Sequence, residues 1–82
     1  MHELKCHSST PYNEIINFIY ENKGKIIFFH YEEKGYASWG YDEVKEIELN
    51  DEGINWIKDY LGTEYEYRNK NSAYVHSIKV KN

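Results

Sequence analysis

The sequence predicts a small α+β domain in which two helices pack on one face of a mainly antiparallel sheet. Three observations predict it. Two segments carry apolar residues at helical spacing between recognisable start and stop residues. Several short runs are rich in β-branched and aromatic side chains and alternate in polarity. No repeat, low-complexity tract or Pro/Gly/Ser linker divides the chain, so residues 1–82 read as one domain.

In chain order, a weak strand is expected at 2–7. Thr10 then offers a hydroxyl cap ahead of Pro11, and Tyr12, Ile15, Ile16 and Ile19 fall on one face, which predicts a helix over 11–23 ended by Gly24. Lys25 to Tyr31 is too short for a second buried helix and reads as a central strand. Residues 32–35 read as a turn, 36–39 as a return strand and 44–49 as another, with Ile47 and Leu49 pointing inward.

A second helix is predicted over 51–61. Asn50 caps it, Asp51 and Glu52 complement the dipole of its first turn, and Leu49 with Ile54 forms a hydrophobic staple. Ile54, Ile57 and Leu61 make its apolar stripe, and Gly62 closes it. Glu64-Tyr-Glu-Tyr-Arg68 alternates, 69–72 supplies turn residues, and 73–80 alternates again with Tyr74, His76, Ile78 and Val80 on one side. These features predict a C-terminal hairpin and the order β-α-β-β-β-α-β-β.

At 9.9 kDa, the chain buries a little under two-thirds of the roughly 14,400 Å² it exposes unfolded. A deep catalytic cleft would consume much of such a core, whereas an ordinary interface uses about 800 Å² of existing surface. The lone Cys6 cannot form an intrachain disulfide, and the start of the chain lacks a secretory signal. No run approaches a membrane span. A cytoplasmic protein without membrane association is expected, and the abundance of Ile, Lys, Asn and Tyr fits an AT-rich genome, that of a low-GC bacterium, its phages or some archaea equally.

The formal charge of −4 is unevenly distributed. Residues 42–66 hold nine acids against Lys45 and Lys58, a net −7, while 67–82 hold Arg68, Lys70, Lys79 and Lys81 and no acid. A concentrated negative surface steers a basic partner. Nine tyrosines accompany it, and Tyr31, Tyr36, Trp39 and Tyr41 crowd around one turn. Tyr and Trp supply large amphipathic area at small entropic cost, which suits them to interfaces.

Catalytic signatures are missing: no dinucleotide, phosphate-loop, nucleophile-elbow or zinc-protease motif occurs. His2, Cys6, His30 and His76 permit a metal set in principle, but their spacing matches no zinc signature, so no metal or other cofactor is expected. Cys6 and His7 would point to opposite faces of a strand, which disfavours a thiol nucleophile. Glu64 and Glu66, without apolar shielding, should titrate as solvated carboxylates.

The leading expectation is therefore a non-catalytic protein-binding module that occludes a basic surface of another protein, in the manner of an inhibitor, immunity protein or phage counter-defence factor. A nucleic-acid-processing enzyme is the natural target, because its own cleft is positive. Asp42, Glu43, Glu46 and Glu48 would steer, and Tyr36, Trp39 and Tyr41 would anchor. The alternative is an oligomeric small-molecule-binding module in which Trp39, Tyr65, Tyr67, Tyr74 and His76 with Arg68 line a pocket for a nucleotide or another anion, the aromatic faces stacking a base and Arg68 taking phosphate. Direct nucleic-acid binding by the basic hairpin is disfavoured, since the adjacent acidic stretch repels the same polyanion.

Overall fold

The α+β expectation holds in a computed structural model that describes residues 2–7, 9–33, 41–69 and 75–81, with Glu33, Tyr41, Arg68 and Asn69 entering by backbone alone. The elements are β1 (Glu3–Lys5), α1 (Tyr12–Glu21), β2 (Ile26–Glu33), β3 (Tyr41–Glu48), α2 (Asp51–Leu61), α3 (Glu64–Asn69) and β4 (Val75–Val80). The four strands form one antiparallel sheet in the order β1-β4-β2-β3. The predicted return strand at 36–39 lies outside the described residues.

The strands' period of two sorts their side chains. Leu4, Ile27, Phe29, Tyr31, Ile47, Val75, Ile78 and Val80 point to one side and are buried with Ile15, Phe18 and Ile19 of α1 and Ile54, Ile57 and Leu61 of α2. Both main helices therefore cover the same sheet face. Ile26, Phe28 and His30 of β2 point to the other, on which none of the described helices packs.

Local chemistry explains the helix limits. Pro11, with extended backbone, is the N-cap of α1. Thr10 does not cap it as the sequence suggests: the hydroxyl is buried and accepts the His7 amide at 2.9 Å, closing the preceding turn. At the other end Asn22 is the C-cap, its side-chain amide donating to the Phe18 carbonyl at 2.8 Å. Gly24 takes the left-handed conformation two residues later (φ +91°) and donates its amide to the Leu49 carbonyl at 2.9 Å, fastening the turn to the end of β3.

α2 has the predicted limits and the predicted cap, with Asn50 Oδ1 accepting from the Gly53 amide at 2.8 Å. Gly53 has a specific reason to lack a side chain, because a Cβ there would overlap the Glu48 carbonyl and crowd Ile47. That close approach seats the first turn of α2 on the end of β3.

The largest correction concerns 64–68, where the predicted strand is a short helix. Thr63 Oγ1 accepts the Glu66 amide at 3.1 Å, while Glu66 Oε1 accepts the Thr63 amide at 2.9 Å. This reciprocal Thr-x-x-Glu capping box outweighs the polar/aromatic alternation. Tyr67 then packs against Tyr12 at a ring separation of 5.7 Å and donates its hydroxyl to the Thr10 carbonyl at 2.9 Å. The predicted C-terminal hairpin does not form, and β4 instead inserts between β1 and β2. β2 also runs on through Glu32 and Glu33, which the sequence assigns to a turn.

Candidate functional site

The helix-free face of the sheet brings acidic, basic, imidazole and apolar side chains together. Ile26, Phe28, His30 and Glu32 alternate outward along β2, and across the ladder they face Glu48, Glu46, Val44 and Asp42 of β3 in that order. On the other flank of β2 stand Lys79 and, just past β4, Lys81. Val44 is 58% exposed and Ile26 37%, so an apolar stripe runs between an acidic and a basic border.

The acidic and basic segments, far apart in sequence, thus flank the same strand. Lys81 Nζ lies 3.3 Å from Glu46 Oε1 and 5.9 Å from the centre of the Phe28 ring. Pairing of this kind shortens the reach of the field the composition implies, although both side chains remain partly exposed and salt-screened.

Of the acids predicted to steer a partner, Asp42, Glu46 and Glu48 share this face. Glu43 is exposed on the opposite side of β3, where it accepts the Tyr31 hydroxyl at 3.4 Å. Tyr31 itself is buried, in a cluster with Phe29, Trp56 and Tyr60 whose ring centres are 5.0 to 6.1 Å apart. Tyr36 and Trp39 lie outside the described residues, as does the side chain of Tyr41.

β3 ends the sheet, and no described strand pairs with its outer edge. Where that edge meets the start of α2, Glu46, Glu48, Glu52 and Trp56 line a shallow groove of about 270 Å³. Lys45 reaches over the Trp56 ring at 4.6 Å, so this rim already holds one cation against an aromatic face.

A second constellation sits at the far end of the open face. His76 Nε2 is 2.9 Å from Asp42 Oδ1, and His30 Nε2 is 3.7 Å from Asp42 Oδ2. The two imidazoles lie 4.6 Å apart, tilted by 34°. A register irregularity makes this possible: His30 pairs with Ser77 but Tyr31 pairs with Val75, so His76 is the additional residue of a bulge. The bulge turns the ring onto the helix-free face, away from the buried Ile78 and Val80 with which strict alternation groups it.

Of the predicted aromatic pocket, the three described side chains, Tyr65, Tyr67 and His76, do not converge. Tyr67 packs in the helix layer and Tyr65 is 76% exposed on α3, while His76 faces the other side of the sheet. Tyr74 and the side chain of Arg68 lie outside the described residues.

Cys6, just beyond β1, is half-buried and its thiol donates to the Leu4 carbonyl at 3.8 Å. Burial, reinforced by the Glu14 carboxylate, pushes the thiol pKa up to about 11, the reverse of what a nucleophile needs. Burial, and secondarily Cys6, also raises the Tyr67 phenol above its ordinary value.

None of the described helices is long and apolar enough to cross a membrane. No protein-family model, curated protein or solved structure matches the chain.

Proposed function

We propose that the protein is a non-catalytic binding module that covers a basic surface of another protein with the acidic border formed by β3 and the start of α2. The observation that carries this reading is the continuity of carboxylates around a sheet edge on which no described strand pairs. Glu46 and Glu48 approach it from the open face, Glu43 from the helix side, and Asp51 and Glu52 from the first turn of α2.

A partner's lysine or arginine would enter the groove beside Trp56, displacing Lys45 from the ring and exchanging water for carboxylates and an aromatic wall. Ile26, Phe28 and Val44 extend the contact with apolar area that a charged surface alone lacks. Charge pairs at such a rim act mainly on the rate of encounter, and the half-buried Trp56 ring and apolar stripe act on the lifetime of the complex. A nucleic-acid-processing enzyme, whose cleft is built to attract phosphates, presents the complementary surface.

The test begins with affinity capture and continues with the purified pair. Raising salt from about 50 to about 300 mM is expected to weaken the complex about tenfold or more, chiefly through slower association. Glu46→Lys combined with Glu48→Lys is expected to abolish it. Binding that ignores salt and survives the double reversal overturns the proposal.

A further inference from the structure

We infer that His30, Asp42 and His76 form a binding site for a divalent transition-metal ion, with Zn²⁺ the best match, on the helix-free face of the sheet. The site does not depend on the protein-binding reading. Its three donors come from three neighbouring strands, β2, β3 and β4, and one potential ligand atom from each lies within 4.8 Å of the other two.

The distances fit a small ion. Donors held about 2.1 Å from a tetrahedral Zn²⁺ are separated from one another by roughly 3.4 Å. The 3.7 Å between His30 Nε2 and Asp42 Oδ2 is close to that spacing. The 2.9 Å between His76 Nε2 and Asp42 Oδ1 is a hydrogen bond, and a metal would take over the role its proton plays. Closing the widest separation, at most 4.8 Å, requires up to about 1.4 Å of movement shared between two side chains, which rotamer adjustment of partly exposed rings supplies.

The donor chemistry narrows the ion. Two imidazoles and one carboxylate suit zinc and its late first-row neighbours, whereas Mg²⁺ and Ca²⁺ require oxygen ligands throughout. Glu32, directly across the ladder from Asp42, points to the same face and adds negative charge to the surroundings of a cation.

The backbone is shaped around the cluster. Without the bulge, His76 could not join His30 on one face while both Val75 and Ile78 reach the core, and bulges of this type serve to re-aim a side chain. The side chains of His30, Asp42 and His76 are 35%, 59% and 28% exposed, so an ion held by all three keeps coordination positions open to solvent or to a ligand atom from outside the chain. Binding would also clip three strands together, so it should raise the melting temperature with metal concentration.

The experiment uses the full chain stripped of metal, with Zn²⁺ alone as the probe. Calorimetric titration is expected to show a single equivalent bound in the micromolar range or tighter, and Mg²⁺ is expected to show none. His30→Gln and His76→Gln should each weaken binding by at least about tenfold, with circular dichroism confirming the fold. Because His2, Cys6 and His7 lie near one another in sequence, a variant carrying His2→Gln, Cys6→Ser and His7→Gln should bind as the parent does. In the unmutated chain, imidazole NMR signals of His30 and His76 should move with added zinc while those of His2 and His7 stay. Zinc binding that is undetectable, that persists in the His30/His76 variants, or that moves the signals of His2 and His7 instead overturns the inference.

Discussion

The two faces of the sheet are made by alternate residues of the same strands, yet they do different work. Along β2, Ile27, Phe29 and Tyr31 enter the core, while Ile26, Phe28 and His30 between them face outward. The covered face is continuous apolar packing, completed by the apolar stripes of two helices. The open face mixes an apolar stripe, a cross-strand ion pair and an imidazole-carboxylate cluster. Stability is concentrated on one side of the sheet, and the chemistry available to a partner or an ion on the other.

Neighbouring phenylalanines provide the sharpest test of that division. Phe29→Ala removes a fully buried ring at the centre of the core and is expected to cost about 3–5 kcal/mol, a large share of the stability of a small domain. Phe28→Ala, one residue away on the open face, should cost no more than about 1 kcal/mol. Urea denaturation of both variants measures the difference, and equal losses would break the comparison.

Next in size is the contact that seats α2 on the covered side. Gly53→Ala places a methyl group against the Glu48 carbonyl and Ile47. Relieving the overlap must shift the helix start, at an expected cost of about 1–3 kcal/mol in the same measurement. A neutral or stabilising result would show that α2 is free to slide on β3.

The smallest expected effect is alkaline. The Cys6 pKa is raised from 9.0 to about 11 in the folded chain, so from about pH 9 upward the unfolded chain loses this proton while the folded one retains it. Stability should be unaffected below about pH 9 and fall between about pH 9 and 11. Since the thiol is only half-buried, solvent screening limits the loss to about 1 kcal/mol. Cys6→Ser should remove this part of the pH dependence, as measured by urea midpoints from pH 8 to 11.

Legibility followed the range of the forces involved. α2 could be read to the residue because Asn50, the Ile54/Ile57/Leu61 stripe and Gly62 act within one helix. α1 and the core of β2 were legible for the same reason, with errors only at their ends. At 64–68 two local signals competed: the alternation of Glu64 to Arg68 suggested a strand, and the Thr63/Glu66 box, equally visible in the chain, capped a helix. The box prevails where Tyr67 can also reach Thr10 and Tyr12, a contact that depends on where α1 lies.

The candidate sites divide in the same way. Glu46 and Glu48 share a face by their even step along the strand read at 44–49, but the strand begins at Tyr41, and only that extension places Asp42 with them and Glu43 on the opposite side. His30, Asp42 and His76 could not be grouped, because no spacing within the chain relates three different strands. Nor does the chain's pattern reveal the bulge, without which His76 falls on the wrong side.

The apolar periodicity of both main helices and the caps of α2 were thus decided within the sequence, since the hydrogen bonds and side-chain spacings behind them span only a few residues. The strand order, the pairing of Glu46 with Lys81 and the meeting of His30, Asp42 and His76 were decided only in the folded chain. These depend on which strands lie side by side, and that choice is made by burial of the whole core at once rather than by any one segment.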